Sequence, residues 1–294
     1  MTDRLRIAVL GATGQVGWAL CRSLSVLGQV QPVSRSGQSH TQCDFSQPQD
    51  TLRVLDELAP DVIVNAAAYT AVDRAESERE QAFLLNARLP ESLAEWAAPR
   101  NVALVHYSTD YVFDGTKDSP YTEQDAPSPI NVYGESKLAG DMALLESDAD
   151  AWILRVSWVY GTRGNNFLQT MRRLMAERDQ LRIVADQFGA PTWARSIADS
   201  TLALLSQVLR NESLRAESRG IYHLGTESFT SWLGFAKEIR DVLGLECQLE
   251  GIPTSEYPTP ARRPANSRMN GDLVAQMFGI RLPEWDTQLR LCVD

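Results

Sequence analysis

The chain has 294 residues, of which 44% are hydrophobic and 22% are charged, and its formal net charge is −10. This length and composition suit a globular protein with one large domain or two closely joined ones. The acidic balance argues against a broad basic surface for nucleic acid, and the apolar stretch around Asn65 is too short to cross a membrane.

The chain starts with acidic and basic residues and runs directly into a strand-like segment, which is not the pattern of a secretory signal. The four cysteines are scattered without a paired spacing, so we expect neither a zinc site nor a disulfide framework. These features predict a reduced, cytoplasmic protein.

The first 160 residues alternate short apolar runs with segments of helical period. Strands are predicted at 6–11, 30–35, 61–68, 102–109 and 151–161. Helices are predicted at 15–28, 50–60, 73–99 and from Tyr133 onward, and in the second half at 166–178, 194–209 and 230–243. Buried strands that alternate with helices predict an α/β protein with a doubly wound parallel sheet, followed by a smaller, mostly helical lobe.

Directly after the first predicted strand, Gly11, Gly14 and Gly17 have the spacing G-x-x-G-x-x-G. Glycine allows a tight turn and lets backbone N–H groups approach a pyrophosphate, which the positive end of a helix starting at Gln15 would attract. A plain strand-to-helix turn also uses glycine, but here strand, glycines and helix follow in the order of a dinucleotide site. We therefore predict that this loop binds a dinucleotide.

The second predicted strand ends in Ser34 and Arg35 and carries no acidic residue. Sites specific for NAD usually place an acid there to hold the ribose 2′-hydroxyl, whereas an arginine suits a 2′-phosphate. The alternative is that Arg35 is merely an exposed loop charge. The sequence predicts NADPH as the cofactor, with NADH as a second one that could be accepted.

Three side chains with catalytic chemistry follow the strand at 102–109. Thr109 lies at its carboxyl end, where ligands bind in open α/β sheets, although it could equally cap the next turn. Tyr133 and Lys137 are four residues apart, so on a helix both side chains can reach the same spot. Taken alone, that pair could also be an ordinary solvated helix face.

A strand-end hydroxyl, a Tyr-x-x-x-Lys pair and a glycine-rich nucleotide loop together resemble the extended short-chain dehydrogenase/reductases. The segments "NAAAYTAVDRAESE", "YSTDYVFDG", "NVYGESKLAG", "DQFGAPT" and "YPTPARRPANSR" resemble, more specifically, the dTDP-4-dehydrorhamnose reductase family. That resemblance implies a Rossmann-like sheet and NADPH-dependent reduction of the C4 keto group of dTDP-4-dehydro-L-rhamnose to dTDP-L-rhamnose. It also implies a dinucleotide-binding domain at 1–160, completed by part of 193–225, and a substrate-binding lobe at 161–192 and 226–294.

The resemblance assigns roles to individual residues. Tyr133 would protonate the C4 oxygen, Lys137 would bring the Tyr133 pKa closer to neutral and hold the nicotinamide ribose, and Thr109 would bind the reacting oxygen. Asn86 would support Lys137, unless it is a solvent-facing helix residue. Cofactor contacts are expected, besides Tyr133 and Lys137, from Gly11, Thr13, Gly14, Gln15, Val16, Gly17, Ser34, Arg35, Asp44, Phe45, Ala66, Ala67, Ala68 and Tyr69.

The expected substrate contacts are Thr109, Asp110, Trp158, Asn166, Gln187, Arg263 and Ser267. Trp158 would pack on the sugar, although a strand tryptophan is more often a core residue. Arg263 would hold the dTDP part, because arginine forms paired, charge-assisted hydrogen bonds to phosphate. The concentration of arginine at 262–268 would reconcile an acidic chain with an anionic substrate.

Some members of the family are dimers joined through Mg²⁺ that glutamates hold. At the corresponding positions this chain has Ala19 and Arg195, and only Asp294 could replace the third glutamate. Mg²⁺ prefers carboxylate oxygens and water, so we expect no metal site and either a monomer or a metal-independent homodimer.

Two alternatives remain open at this point. One is a reductase or epimerase of another nucleotide 4-keto sugar, which the C-terminal segments argue against only indirectly. The other is a non-catalytic regulatory subunit on the same fold, such as that of methionine adenosyltransferase. The presence of Thr109, Tyr133 and Lys137 argues against the second alternative.

Overall fold

The structure is a computed structural model that describes residues 4–36 and 40–294. Its strands are β1 (Arg6–Leu10), β2 (Gln29–Ser34), β3 (Thr41–Gln42), β4 (Val62–Asn65), β5 (Ala103–Thr109), β6 (Ala151–Val156), β7 (Val159–Tyr160), β8 (Gln180–Val184), β9 (Phe188–Gly189), β10 (Thr192–Trp193), β11 (Gly220–His223), β12 (Thr230–Ser231) and β13 (Gln248–Ile252). Its helices are α1 (Gln15–Ser23), α2 (Pro48–Leu58), α3 (Val72–Ala75), α4 (Arg79–Phe83), α5 (Leu89–Ala97), α6 (Val132–Leu145), α7 (Phe167–Glu177), α8 (Ala194–Val208), α9 (Glu212–Glu217), α10 (Trp232–Val242), α11 (Asp272–Phe278) and α12 (Trp285–Val293).

Seven strands form a central sheet in the order β11-β6-β5-β4-β1-β2-β3, and each neighbouring pair is parallel. The strand order reverses between β1 and β4, where Leu10 lies opposite Asn65. This is the order of the Rossmann fold, in which ligands bind at the carboxyl ends of the strands beside the reversal. The predicted fold class is confirmed.

Helices cover both faces of the sheet, which is why β4, β5 and β6 are buried along their whole length. Alternate residues of β1 point to opposite faces. Ile7 and Val9 belong to a core cluster that includes residues of α1 and α8, whereas Ala8 and Leu10 belong to one that includes residues of α2 and α5. The strands thereby present their carboxyl ends, rather than their faces, to incoming molecules.

Two predicted elements are divided. The helix predicted at 73–99 is interrupted at residues 76–78, between α3 and α4, and then continues from α4 through a π-helical segment at Leu84–Arg88 into α5. The strand predicted at 151–161 is broken into β6 and β7 by Trp158, whose φ is +45°. In both places the helix- or strand-like composition continues across the interruption.

The second half of the chain contains more strands than its composition suggests. Strand β11 pairs with β6 and completes the central sheet from residues far along the chain. The pairs β10–β7, β12–β9 and β13–β8 form separate two-stranded sheets. Tyr160 and Phe235 lie in a further core cluster, together with residues of α7 and α12.

A buried ion pair joins α6 to the central sheet. Arg155 of β6 donates to Asp141 Oδ2 from Nε at 3.2 Å and from Nη2 at 3.1 Å, and Ser108 of β5 donates a third bond at 2.9 Å. The two charged side chains are 1% and 0% exposed. Burial raises the pKa of Asp141, while Arg155 opposes that rise.

Replacing Arg155 with Met should lower the free energy of unfolding by about 3–5 kcal/mol at pH 8, because Asp141 is left as a buried, unpaired charge. The loss should shrink as the pH falls, since the native state can then take up a proton at Asp141 at a higher pH than the unfolded chain does. Urea unfolding at several pH values measures both effects.

Arg53→Met is the matched control for this change. Arg53 forms ion pairs with Asp50 and Glu57, but its side chain is 66% exposed. Exposed pairs contribute about 0–1 kcal/mol, so this variant should unfold almost like the parent. Equal losses in the two variants would contradict the structural role given to Arg155.

Candidate active site

A cleft of about 820 Å³ opens at the carboxyl ends of the strands beside the sheet reversal. Its walls contain many of the residues expected to bind the cofactor. They are Gly11, Thr13, Gly14, Ser34, Arg35, Asp44, Phe45, Ala66, Ala67, Ala68 and Tyr69. Residues from β1, β2, β4 and the segments that follow them are thus brought into one site.

The turn between β1 and α1 leaves no room for a side chain at Gly11 or at Gly17. Gly11 has φ +80°, and a Cβ added to it would lie 2.7 Å from backbone atoms of Ala66 and Ala67. A Cβ at Gly17 would lie 2.1 Å from the Gly11 carbonyl oxygen, so this glycine lets α1 pack onto the turn. Glycine is required at both positions for these close approaches.

The N-terminus of α1 is suited to an anion. No side chain caps it at Gly14, and its first turn contains no acidic residue. The first N–H groups of a helix have no partner within the helix, and the helix dipole makes that end positive. A phosphate group in the cleft would satisfy both conditions.

The far end of the cleft carries opposite charges. Arg35 is exposed there, whereas the buried Ser34 hydroxyl already donates to the Ser36 carbonyl at 2.6 Å. Asp44 is held by the backbone N–H and the hydroxyl of Ser46, and these bonds, with a smaller contribution from Arg35, lower its pKa. Among the described residues, Arg35 therefore gives this end of the cleft an exposed positive charge that suits a phosphate.

The other expected cofactor residues lie behind the turn. The Gln15 side chain accepts a hydrogen bond from Asn166 Nδ2 at 2.7 Å, which joins an expected cofactor residue to an expected substrate residue. Val16 packs against the core, and Gly17 is buried. The Asn166 side-chain oxygen also accepts a hydrogen bond from Gln169 N and so caps α7, which means that this side chain helps to hold the fold in this structure.

Thr109 and Tyr133 meet at the end of β5. The Thr109 hydroxyl donates to Asp110 Oδ1 at 3.0 Å and accepts from Tyr111 N at 3.2 Å, so it does cap the turn as well. Burial raises the pKa of Tyr133, and a hydrogen bond with Thr109 lowers it less strongly. The ring of Tyr111 packs edge-on against Tyr133 with 5.7 Å between centroids.

Lys137 bonds to groups of β5 in this structure. Its Nζ donates to the Tyr107 carbonyl at 2.5 Å and lies 3.1 Å from His106 Nε2. Burial lowers the Lys137 pKa to about 8, against the opposing effect of Asp141. The charges that act on Tyr133 are those of Asp110 and Asp141, both of which raise its pKa. The expected lowering of the Tyr133 pKa by Lys137 is absent from this arrangement.

Asn86 is fully buried but does not contact Lys137. Its side chain exchanges hydrogen bonds with both backbone groups of Tyr69, at 2.9 and 3.0 Å, and donates to Ser136 Oγ at 3.0 Å. The alternative of a solvent-facing residue is therefore wrong. Asn86 ties the cleft wall at Tyr69 to the helix that carries Tyr133.

The expected substrate residues fall into two groups. Asp110 bonds to Thr109, to Ser157 and to Ser267, and its burial raises its pKa to about 6. Trp158 instead stacks on Trp232, with 3.5 Å between ring centroids, and Trp232 Nε1 donates to Gln187 Oε1 at 3.1 Å. Gly189 makes this stack possible, since a Cβ there would lie 2.5 Å from the Trp158 ring.

Arg263 has a protein partner in this structure. Its guanidinium donates to both carboxylate oxygens of Asp73, at 3.0 and 2.8 Å, and the pair lowers the pKa of Asp73. Arg268 instead bonds to Asn266 and the Asp118 carbonyl. The arginines at 262–268 therefore do not form one open positive patch, because Asp73 balances the charge of Arg263.

A second cavity, of about 690 Å³, lies beside these groups. Gln187, Trp232 and Arg263 line it, together with apolar residues of α7 and β8. The Asn131 side chain, which caps α6 through Gly134 N, also donates to the Arg262 carbonyl at 2.8 Å. The segment that borders this cavity is thus anchored to the helix that carries Tyr133.

Within residues 4–36 and 40–294, no group of three or more His, Cys, Asp and Glu side chains is placed to hold a metal ion. Ala19 is 3% exposed, and Arg195 is paired with Asp199 at 2.8 Å. In the same described ranges, no helix combines the length and the apolar character that a membrane span requires.

Comparison with known proteins agrees with this geometry. The family model described as RmlD substrate binding domain matches residues 5–294. The dTDP-4-dehydrorhamnose reductase of Burkholderia thailandensis is 49% identical over 98% of each chain. That of Escherichia coli K12 is 45% identical over 97% of this chain and 96% of the relative.

The chain belongs to the dTDP-4-dehydrorhamnose reductase family. Proteins of this family are oxidoreductases, so the predicted enzyme class and the predicted family are confirmed. The crystal structure of the Bacillus anthracis dTDP-4-dehydrorhamnose reductase in complex with NADP superposes with a TM-score of 0.90, at 32% identity and with 99% of each chain covered.

In this member of the dTDP-4-dehydrorhamnose reductase family, four residues near the site were not predicted from the sequence: Asn65, Asp73, His106 and Trp232. Asp73 lies inside the quoted segment "NAAAYTAVDRAESE" and His106 lies in the strand predicted at 102–109, so the available signal was a charged or titratable residue next to a motif. No local signal distinguishes Trp232 from an ordinary core residue. Its role depends on Trp158, a residue distant in sequence.

Proposed function

We propose that this protein reduces the C4 keto group of dTDP-4-dehydro-L-rhamnose to give dTDP-L-rhamnose, with NADPH as the cofactor. The observation that carries the proposal is the near-full-length identity to proteins named as this reductase, together with Thr109 and Tyr133 at the carboxyl edge of the sheet. Residues 161–192 and 226–294 would form the substrate lobe, beside the domain at 1–160 and part of 193–225.

The cleft fits a phosphorylated dinucleotide. The uncapped N-terminus of α1 and the bare turn at Gly11 suit a pyrophosphate, and Arg35 at the far end suits a 2′-phosphate. NADP is the ligand in the crystal structure of the Bacillus anthracis relative. When bound, NADPH supplies the hydride for the reduction.

The chain's own residues would control the proton. Because burial keeps the pKa of Tyr133 high, its phenol is protonated at neutral pH and can donate to the C4 oxygen as negative charge develops there. The Thr109 hydroxyl, which donates to Asp110 in this structure, would turn to bond the same oxygen. Lys137 would release its contact with β5 to bind the nicotinamide ribose and stabilise the phenolate that Tyr133 becomes.

Tyr133→Phe removes the proton donor and keeps the ring. General acid catalysis contributes about 10²–10⁴-fold, so kcat should fall within that range while NADPH still binds. Stopped-flow absorbance of NADPH measures the chemical step, and fluorescence titration measures binding. Tyr160→Phe is the control, because the buried Tyr160 hydroxyl has no hydrogen-bond partner among the described residues, and this variant should keep the parent rate. A Tyr133→Phe rate above about a third of the parent rate would exclude the assignment.

Arg35→Asp should reverse the choice of cofactor. Charged hydrogen bonds of about 1.5–3 kcal/mol correspond to a preference for NADPH over NADH of roughly ten- to a hundred-fold in kcat/KM. Steady-state kinetics with each cofactor test this, and Arg53→Met, at an exposed position on α2, should leave the ratio unchanged. If the parent uses both cofactors equally well, Arg35 does not hold the 2′-phosphate.

Substrate choice separates this proposal from its alternatives. Loss of NADPH absorbance with dTDP-4-dehydro-L-rhamnose, in the purified protein without a partner, would exclude a purely regulatory subunit. A panel of other nucleotide 4-keto sugars should give much lower kcat/KM values. A better substrate within that panel would transfer the assignment to a related reductase or epimerase.

Removal of metal ions should change neither activity nor assembly, because Arg195 would oppose a cation at the position where a glutamate would be needed. Size-exclusion chromatography and the NADPH assay, each with and without EDTA, measure this. We expect a monomer or a homodimer whose elution volume is unchanged. A dimer that dissociates when EDTA is added would show that other residues form the metal site.

A further inference from the structure

Three polar side chains form a buried row that crosses β4, β5 and α6. Asn65 Nδ2 lies 3.1 Å from His106 Nδ1, and His106 Nε2 lies 3.1 Å from Lys137 Nζ. Each of the three residues is 1% exposed. In such a buried row each hydrogen should face an acceptor, and the positions of the protons can therefore be worked out.

A backbone group fixes one end of the row. The N–H of Ala67 donates to Asn65 Oδ1 at 3.1 Å, and a backbone N–H cannot accept a hydrogen bond. The Asn65 amide therefore cannot be turned round, and its NH₂ group faces His106. Since an NH₂ group of an amide only donates, Nδ1 of His106 must carry a lone pair.

The proton of His106 must then be on the other ring nitrogen. Burial holds the His106 pKa well below its usual range, so the ring is neutral and carries a single N–H. That N–H is at Nε2 and points at Lys137. An ammonium at Lys137 has no lone pair to accept this N–H, so two donors would face each other. A neutral amine would accept the hydrogen bond and could still donate to the Tyr107 carbonyl.

We propose that His106, locked in its Nε2–H tautomer by Asn65, is a positioning residue that favours the neutral amine of Lys137 and holds it at β5. The placement of the proton rests on the hydrogen-bond geometry and on the burial of His106, not on the proposed function. Its meaning for the reaction rests on the proposed function, in which Lys137 must be positively charged to stabilise the phenolate of Tyr133. His106 would thus set the pH above which Lys137 loses that charge.

The other charged groups around Lys137 act in the opposite direction or are already paired. Asp141, one turn further along α6, raises the Lys137 pKa. Arg155 of β6 is bonded to Asp141 at 3.1 Å, which balances part of that effect. On the remaining side, Tyr133 lies one turn earlier on the same helix.

The test reverses the hydrogen bonding with an isosteric change. Asn65→Asp keeps an oxygen for Ala67 N–H but offers a second oxygen to His106, so that the ring proton moves to Nδ1 and Nε2 becomes an acceptor. Lys137 would then be favoured as an ammonium. Lysine ¹³Cε NMR of the cofactor-free full chain measures this directly, because the sequence contains only Lys117, Lys137 and Lys237 and the other two serve as internal controls.

The parent Lys137 should titrate near pH 8, and Asn65→Asp should move the midpoint upward by about one pH unit or more. A carboxylate at position 65 also attracts Lys137 directly, so Asn65→Asp is also made in a His106→Leu background. There, the shift of the Lys137 midpoint should be less than about half of the shift seen when His106 is present. A parent midpoint near the ordinary value of about 10.4 would overturn the proposal. A full shift without His106, or no shift in Asn65→Asp, would overturn it too.

Circular dichroism would show whether Asn65→Asp folds, and a second variant tests the proposal if it does not. His106→Gln can present an amide oxygen to Lys137 and should also raise the midpoint, whereas an unchanged midpoint counts against the proposal. The pH profile of kcat/KM separates the two proposals. If the NMR midpoint moves and the profile does not, the role of His106 stands and the catalytic role of Lys137 fails.

Discussion

Helix α6 is held to the central sheet by buried polar and charged side chains in addition to apolar contacts such as that of Leu144. Lys137 bonds to β5, and Asp141 bonds to Ser108 of β5 and Arg155 of β6. Gly140 permits the close approach on the other side, because a Cβ there would lie 2.1 Å from the Asn86 carbonyl oxygen. Each of these groups would be costly to bury alone, so the helix has one favourable position, and that position places Tyr133 beside Thr109.

The same helix connects the two parts of the site. Its N-cap residue, Asn131, donates a hydrogen bond to the carbonyl of Arg262, and the neighbouring Arg263 forms an ion pair with Asp73. The segment that lines the second cavity is therefore attached to the domain that carries the glycine turn. Trp158, on the opposite side, adopts φ +45° in contact with Trp232, a backbone state that costs non-glycine residues about 1–3 kcal/mol and is typical of functional sites.

Much of the site could be predicted from the sequence because its signals are local. The glycine turn follows a strand within a few residues, and Tyr133 and Lys137 share one helix face. The contacts that were missed join distant segments: Arg263 and Asp73 are 190 residues apart. Strands β8 and β13 were missed for the same reason, since within residues 4–36 and 40–294 they pair only with each other, and neither has the continuous apolar run of a central strand. The orientation of Lys137 depends on His106 and a carbonyl group, which no spacing of residues could indicate.

The position of β11 has a consequence for how the chain is made. This strand covers the free edge of β6, yet it lies about 70 residues further along the chain. During synthesis, β6 leaves the ribosome before β11 has been translated. Until then, the backbone N–H and C=O groups on that edge of this apolar strand have no partner. Such edges are templates for pairing with other chains, and long-range parallel pairing forms slowly. A chain that ends before residue 220 would keep that edge open permanently, so premature termination should yield aggregates rather than a smaller working domain.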